Sequence, residues 1–309
     1  MDKPAKVVVV GTGAMGSVYA ALMKDAGHDV WAIDIWGEHV AAIEANGLRV
    51  EGKSGDRTVQ MPTSTVAADV GEADLIIIAT KFDGVTSAAE SIQPILRDDT
   101  AVLSIQNGLG GPDQAVEVLG ADRVTLGVVG GFGASMKGPG HAHHNGMEMV
   151  RFGEYQGGVQ ARTEWIAEVW RSSGFSVKTF DDIHKMVWEK LICNCAFSGP
   201  AALTGMTLHQ MLHDPDGAEL SAACASEALE VARAKGIPVE VEDARDYTYN
   251  FGMKIPHSRP SLAQDYDAGK KGEIDAINGA IPRVGGPLGV ATPVNAAVTQ
   301  IIKAREAMF

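Results

Sequence analysis

The sequence predicts an α/β protein in which a doubly wound sheet comes first and an all-helical domain follows. Short apolar runs alternate with helical patterns over residues 1–181, and amphipathic helical patterns dominate residues 182–309. The first apolar run, Val7–Val10, leads straight into the glycine-rich turn Gly11–Gly16. We therefore expect an N-terminal Rossmann-type domain, residues 1–181, and a C-terminal helical domain, residues 182–309.

The glycine-rich turn has the GxGxxG spacing of a site for a dinucleotide pyrophosphate. Gly11 permits the tight turn, Gly13 lets the backbone approach the phosphates, and Gly16 lets the next helix pack closely. That helix offers unpaired N–H groups and a positive dipole end to the anion. Among 36 glycines the motif matches easily by chance, but the strand before it and the helix after it supply the required context. The predicted cofactor-binding residues are Gly11, Thr12, Gly13, Ala14, Met15 and Gly16.

The second predicted strand, Asp29–Ile33, ends at Asp34, about twenty residues after the turn, where a ribose-binding carboxylate is expected. A carboxylate accepts hydrogen bonds from both ribose hydroxyls and repels a 2′-phosphate, so Asp34 favours NAD(H) over NADP(H). The alternative is that Asp34 only caps the helix that begins near Gly37.

The other elements follow from hydrophobic periodicity. The first domain has a predicted hairpin at Leu48–Glu51 and Thr58–Met61 and two further helices at Val85–Leu96 and Ala161–Arg171. Its further predicted strands are Ala73–Ala79, Ala101–Ile105, Val124–Gly130, Met147–Phe152 and Phe175–Thr179. The second has predicted helices at Ile183–Ala196, Ala218–Lys235, Val241–Met253 and Pro293–Met308. In open α/β sheets ligands bind beyond the carboxyl ends of the strands, so we expect the active cleft between the sheet and the helical domain.

Composition narrows the function classes. A net charge of −13 and the absence of a basic run disfavour nucleic acid and anionic membranes as partners. No apolar run reaches membrane-spanning length, and Met1–Pro4 lead into the first strand without a leader, which predicts a cytoplasmic protein. The three cysteines are too few for a disulfide framework, and Cys193 and Cys195 are interpreted as packing residues. His141 and His143 are expected to face solvent without a carboxylate nearby, so we predict no metal site.

Two strand ends and one helix place polar side chains where a ligand is expected. Lys81 and Asn107 follow apolar strands, although a solvated lysine and a simple Asn-Gly turn are the alternatives. Lys190, Asn194 and Ser198 recur at four-residue steps and share one face of a helix. A protonated lysine there can donate a proton to a ketone oxygen or stabilise an alkoxide, although a lysine that only extends to solvent at the rim of the core is the alternative.

Four motifs in order, GTGAMG, QNG, KLICNC, and Ser261 with GEIDAING, resemble the ketopantoate reductase (2-dehydropantoate 2-reductase) family over nearly the whole chain. The resemblance implies a Rossmann domain, a helical domain and reduction of a 2-keto acid by a nicotinamide cofactor. It implies that Lys190 is the general acid, that Glu273 binds the substrate hydroxyl, and that Asn107 lies near the nicotinamide and the lysine. It further implies that Asn194 and Ser261 bind substrate and that Lys81 binds a cofactor phosphate. A glutamate that only begins a helix is the alternative for Glu273.

Two positions depart from the family pattern. Ser198 stands where the family commonly has a second asparagine, so this substrate-binding position has a shorter donor. Asp34-Ile35 stands where NADP-dependent members usually carry a basic residue, so we expect NAD(H), with NADP(H) as the alternative.

Three functions remain open on the sequence. The first is reduction of ketopantoate to pantoate, with Lys190 as general acid. The second is an NAD-dependent dehydrogenase of the same family for another 2-hydroxy or 2-keto acid, and the third is a catalytically silent NAD-binding regulatory protein. The expected partner is a small-molecule acid. Helical domains of this kind often present apolar faces for dimerisation, so a homodimer is an open expectation.

Overall fold

A computed structural model of the chain describes residues 4–131 and 133–309, so the expectation about Met1–Lys3 lies outside the described residues. The fold is the predicted one, with an N-terminal α/β domain and a helical C-terminal part. By their contacts the residues divide into two compact units. The first unit comprises the chain up to Gln106 together with Gly111–Ile183, and the second comprises Asn107–Gly110 and His184–Phe309.

The larger sheet of the first unit has eight strands. From one edge to the other they are β12 (Ser176–Thr179), β11 (Met149–Glu154), β8 (Val124–Val129), β7 (Ala101–Ser104), β6 (Leu75–Ile78), β1 (Lys6–Val10), β2 (Asp29–Ile33) and β5 (Thr63–Ser64). All neighbours are parallel except β8 and β11. The chain leaves β1 towards β2 and returns on the other side at β6, so the strand order reverses beside the end of β1, where open α/β sheets bind ligands.

A second sheet in the same unit combines the predicted hairpin with two strands that periodicity did not reveal. Its order is β4 (Arg57–Val59), β3 (Leu48–Gly52), β10 (His141–Gly146) and β9 (Gly133–Gly138). β10 runs parallel to β3, so this sheet depends on a pairing between segments about ninety residues apart. No local pattern encodes such a pairing.

The helices of the first unit are α1 (Ala14–Asp25), α2 (Gly37–Asn46), α3 (Val85–Ser91), α4 (Gly111–Leu119) and α5 (Ala161–Ser172). The prediction that one helix spans Val85–Leu96 was wrong, because α3 ends at Ser91 and a separate 3₁₀ turn follows at Gln93–Ile95. Pro94 lies in this turn, lacks an N–H group and restricts the residue before it, so the α-helix does not continue.

Helices form the second unit. They are α6 (Ile183–Thr204), α7 (Leu208–His213), α8 (Pro215–Ala234), α9 (Ala244–Lys254), α10 (Ser261–Asp267), α11 (Ala280–Gly285) and α12 (Pro293–Glu306). The sequence predicted α6, α8, α9 and α12, but α6 continues two turns beyond its predicted end. The start of α9 at Ala244 has a clear cause, because the Asp243 side chain accepts a hydrogen bond from the Asp246 N–H and caps the helix.

Each unit has its own apolar core. In the first, Trp170 is fully buried among aromatic rings, with ring centroids 4.8 Å from Tyr19, 5.3 Å from Phe152 and 4.6 Å from Phe175. In the second, α6 and α8 bury Cys195 and Cys224 as free thiols, and burial raises the pKa of Cys224 to about 12. The buried thiols therefore pack as apolar groups, which for Cys195 agrees with the interpretation from the sequence. Among the described residues, no helix combines the length and apolarity needed to cross a bilayer.

Two buried imidazoles of the first unit accept backbone hydrogen bonds and therefore depend on their neutral form. The N–H of Gly140 donates to His39 Nδ1 at 2.9 Å, and that of Ala5 donates to His28 Nδ1 at 3.2 Å. Burial lowers the pKa of both histidines below the ordinary value of 6.5. Protonation of either Nδ1 removes the acceptor and leaves a buried N–H group without its partner.

These histidines make folding stability dependent on pH. Because their pKa values are lower in the folded state, the unfolded chain binds protons first as the pH falls. Their contribution to the free energy of unfolding is therefore fully present above about pH 6.5. Below that pH it decreases, by at most about 1.4 kcal/mol per pH unit for each histidine. Urea unfolding at about pH 7.5 and about pH 5.5 is expected to show a smaller pH effect in His39→Gln. The exposed His213 provides the control His213→Gln, and equal pH effects in all three proteins would contradict the prediction.

Candidate functional site

The turn after β1 has open space where a ligand phosphate is expected. A Cβ atom at Gly13 would have no atom within 4 Å, although Gly13 immediately precedes α1. No side chain caps this helix, and its first turn contains no acidic residue. The Thr12 hydroxyl is buried and has no hydrogen-bond partner among the described residues. The N-terminus of α1, with Ala14 and Met15 in its first turn, therefore fits a pyrophosphate group.

The other two glycines of the turn are required by backbone packing. Gly11 has a φ of +88°, and a Cβ there would lie 2.6 Å from the backbone nitrogen of Thr80, which follows β6. A Cβ at Gly16 would lie 2.0 Å from the carbonyl oxygen of Gly11. The same Cβ would lie 3.4 Å from Val9 Cγ1 on β1, so Gly16 permits close packing on the sheet, as predicted, and also on the turn itself. The Ser17 hydroxyl adds a 2.7 Å hydrogen bond to the carbonyl of Thr12.

The remaining cofactor candidates in the first unit lie at strand ends. Asp34 follows β2, is half-buried, and accepts a 2.9 Å hydrogen bond from the N–H of Trp36 through Oδ1. It thus stabilises the turn before α2, as the alternative interpretation expected, and this bond leaves the carboxylate with further acceptor capacity. Ile35 is 96% exposed. Lys81 is exposed two residues beyond Ala79, and its carbonyl accepts from the N–H of Gly84.

In the second unit, α6 carries Lys190, Asn194 and Ser198 at four-residue steps. Lys190 and Asn194 are half-buried, and Ser198 is 5% exposed. Lys190 Nζ donates a 2.7 Å hydrogen bond to Asn107 Oδ1. An ammonium group on a largely apolar helix needs hydrogen-bond acceptors, and the amide oxygen of Asn107 supplies one. The structure thus unites two sequence candidates that are 83 positions apart.

The loop that carries Asn107 is held on the segment that follows Glu273. The N–H of Leu109 donates to the carbonyl of Ala276 at 2.8 Å. Gly108 has a φ of +79°, and a Cβ there would lie 2.1 Å from that same carbonyl oxygen. Gly108 is therefore more than a turn residue, because any side chain at this position would displace the loop and Asn107 with it.

Glu273 and Ser261 lie in neighbouring segments of the same unit. Glu273 is half-buried and directly precedes a 3₁₀ turn, Ile274–Ala276, rather than an α-helix. Gly272 before it donates its N–H to Glu306 Oε1 at 2.9 Å. A Cβ at Gly272 would lie 2.0 Å from Leu262 Cδ1, next to the exposed Ser261. The segment that begins at Gly272 is thus fixed at its start, one residue before Glu273.

Sequence reasoning missed Asn278 of the GEIDAING motif. Its side chain is fully buried and bonded to α6 at the carbonyl of Cys195 and the N–H of Gly199. The nearest signal was Pro200, which lies beyond the predicted end of the helix at Ala196 and lacks an N–H group for the Ala196 carbonyl. Reading that signal required knowing which distant segment lies beside the helix.

The expectation that no carboxylate lies near His141 and His143 was wrong. Glu51 on β3 lies beside both, with its carboxylate oxygens 3.3 Å from His141 Nε2 and 3.5 Å from His143 Nδ1. The parallel pairing of β10 with β3 brings these groups together. Within residues 4–131 and 133–309, no three His, Cys, Asp or Glu side chains are arranged to hold a metal ion.

Comparison with known proteins identifies the family. The model described as "Ketopantoate reductase PanE/ApbA" matches residues 7–157, and the model of its C-terminal domain matches residues 182–306. A PanE/ApbA family ketopantoate reductase of Ralstonia eutropha JMP134 has a crystal structure that is 31% identical, with a TM-score of 0.90 over 98% of this chain and 99% of that one. The chain belongs to the ketopantoate reductase family. It is accordingly an oxidoreductase that acts on a CH–OH group with a nicotinamide cofactor.

Other members and neighbours of the ketopantoate reductase family cover the chain equally well. The 2-dehydropantoate 2-reductase of Aquifex aeolicus is 29% identical over 97% of each chain, and that of Streptococcus pyogenes is 28% identical over 98% of each. A D-mandelate dehydrogenase solved with NADH and anilino(oxo)acetate is 27% identical, with a TM-score of 0.91 over 98% of both chains. The fold thus hosts enzymes named for different acids.

The glycines of the turn give a matched pair of variants. Gly13→Ala is expected to leave the melting temperature nearly unchanged, since its Cβ meets nothing, and to weaken NADH binding about tenfold because the methyl group takes the phosphate's space. Gly16→Ala is expected to lower the melting temperature, because its Cβ overlaps the Gly11 carbonyl. Thermal unfolding and NADH fluorescence titration measure both effects. Equal melting temperatures, or equal affinities for Gly13→Ala and wild type, would contradict the prediction.

Proposed function

We propose that this protein reduces ketopantoate to pantoate with NADH and that Lys190 is the general acid. The observation that carries the proposal is the 2.7 Å hydrogen bond from Lys190 Nζ to Asn107 Oδ1 in a member of the ketopantoate reductase family. The ammonium group of a lysine has three N–H donors, and in this structure one of them bonds to Asn107. Relatives that align over nearly the whole chain are named 2-dehydropantoate 2-reductases.

Lys190 acts where negative charge develops. The reduced nicotinamide, when bound, supplies the hydride that reaches the ketone carbon. Lys190 stabilises the charge on the ketone oxygen and transfers a proton from Nζ to it, and Asn107 holds the amine in position. The product is a 2-hydroxy acid, and the lysine regains its proton from solvent.

The remaining candidates bind and select the substrate. We assign the substrate hydroxyl group to Glu273, which accepts its hydrogen bond, and the other polar groups to Asn194, Ser198 and Ser261. Ser198 is 5% exposed and has a shorter side chain than the asparagine that is common in the family. It is therefore the position at which we expect the substrate preference of this protein to differ from that of other members. The turn residues and Lys81 bind the cofactor phosphates.

NADH is proposed over NADPH because of the end of β2. Asp34 places a carboxylate there, and the next side chain is the exposed, uncharged Ile35. A 2′-phosphate would meet a like charge at this point, whereas two ribose hydroxyls would donate to the carboxylate. Support comes from the D-mandelate dehydrogenase neighbour, which was solved with NADH. A cytoplasmic location stays a prediction.

An absorbance assay at the NADH band tests substrate and cofactor together. Ketopantoate and a panel of other 2-keto acids are each offered with NADH and with NADPH. We expect ketopantoate to give the highest kcat/KM and NADH to be preferred by about tenfold or more, with Asp34→Ala reducing that preference. Stronger turnover of another 2-keto acid would contradict the substrate, and preference for NADPH would contradict the role of Asp34. Tight NADH binding without any turnover would contradict catalysis.

The pH profile tests the lysine and its partner. Lys190→Ala is expected to lower kcat by about 10²- to 10⁴-fold, with little change in NADH affinity. Asn107→Asp replaces a neutral acceptor by a carboxylate, which favours protonated Lys190 and raises the pKa of its amine. The alkaline limb of the kcat profile is therefore expected to move to higher pH in Asn107→Asp, and not in Asn107→Ala. An unmoved alkaline limb in Asn107→Asp would show that Lys190 is not the titrating acid.

A further inference from the structure

The hydrogen-bond ladder of α6 is bridged by a side chain from another segment. Gly199 and Cys195 are four residues apart within α6, the spacing at which a helical N–H and a carbonyl face each other. Here Asn278 Oδ1 accepts from the Gly199 N–H at 3.2 Å, and Asn278 Nδ2 donates to the Cys195 carbonyl at 2.9 Å. Pro200 follows immediately and has no N–H group to continue the ladder. The amide of Asn278 thus supports α6 at its weakest point.

This bridge lies among the proposed substrate-binding residues. Its carbonyl partner directly follows Asn194, and its N–H partner directly follows Ser198. Asn278 itself comes five residues after Glu273, and Ala276 between them accepts the hydrogen bond that holds the Asn107 loop. One short segment therefore holds the carboxylate, the loop that contacts Lys190, and the helix that carries the other polar groups.

A second layer of buried polar groups fixes the orientation of the Asn278 amide. Asn278 Nδ2 also donates to Asn295 Oδ1 at 2.9 Å, and Asn295 Nδ2 donates to Glu227 Oε2 at 2.7 Å. The Glu227 carboxylate in turn accepts from the N–H groups of Val294 and Asn295 at the start of α12. Rotating the Asn278 amide by half a turn would set its oxygen against the Cys195 carbonyl and the Asn295 oxygen. A single orientation is therefore favoured, since buried polar groups need matched partners.

The chain also leaves space for this contact. A Cβ at Gly199 would lie 2.7 Å from Asn278 Oδ1 and 2.5 Å from Val298 Cγ1. Asn278 and Asn295 are both fully buried, so neither is available to touch a substrate from solvent. Any effect of Asn278 on catalysis must pass through the elements that it joins.

We infer that Asn278 is a positioning residue, which sets the placement of Asn194 and Ser198 on α6 relative to Glu273. The inference rests on the proposed function, because it assumes that these three side chains bind one substrate. Losing the bridge lets α6 shift at the Cys195–Pro200 step, and misplacement by about 1 Å is enough to weaken catalysis about a hundredfold. Cofactor binding depends on residues of the first unit and is not expected to change.

Steady-state kinetics of Asn278→Ala test this inference against a matched control. We expect KM for ketopantoate to rise, or kcat to fall, by about tenfold to a hundredfold while KM for NADH stays within about twofold. The control is Ile302→Ala, which empties a fully buried position of α12 about two turns after Asn295. It is expected to lower the melting temperature at least as much and to leave both KM values and kcat unchanged.

The outcomes separate a positioning role from a structural one. Wild-type kinetic constants in Asn278→Ala, with only a lower melting temperature, would overturn the inference and leave the proposed function intact. If Asn278→Ala does not fold, Asn278→Ser is measured instead, since its hydroxyl leaves a smaller and more polar cavity. Absence of turnover in the wild type would contradict the proposed function, and the inference would fall with it.

Discussion

The arrangement of the helical unit depends on giving the half-buried Lys190 ammonium an acceptor. That acceptor is an amide oxygen, 2.7 Å away, on a loop that leaves a strand of the sheet and packs with the helices. The loop stays in place because Gly108 allows close contact with the Ala276 carbonyl and Leu109 bonds to it. The hydrogen bond to Asn107 thus depends on close backbone contacts of the loop, which no other residue type at position 108 would permit.

In both units, glycine residues permit close contacts with the backbone. In the first, Gly11 and Gly16 leave no space for a Cβ, while Gly13 leaves space for a ligand. In the second, Gly108 and Gly199 admit a carbonyl and an amide. The glycines of these motifs therefore have two different surroundings, close contact within the protein at some positions and open space at Gly13, and only the tertiary structure distinguishes them.

Polar groups inside the helical core specify one arrangement of its helices. A series of hydrogen bonds of 2.7 to 2.9 Å links α8, α12 and α6 through the side chains of Glu227, Asn295 and Asn278. An apolar core tolerates small shifts of helix against helix, whereas a satisfied buried network loses bonds when any member moves. A helix interrupted by Pro200 would otherwise be free to bend at the place where it carries Asn194 and Ser198.

The sequence by itself determined the fold class, the strand, turn and helix at Val7–Gly16, the face shared by Lys190 and Asn194, and the family. These features are local, because periodicity and glycine spacing act through the backbone of a few neighbouring residues. Tertiary structure alone decided that Asn107 meets Lys190, that Glu51 lies beside two histidines, and that Asn278 bonds to the backbone of α6. Those contacts join segments far apart in the chain, and a polar side chain does not encode which distant partner the fold will bring to it.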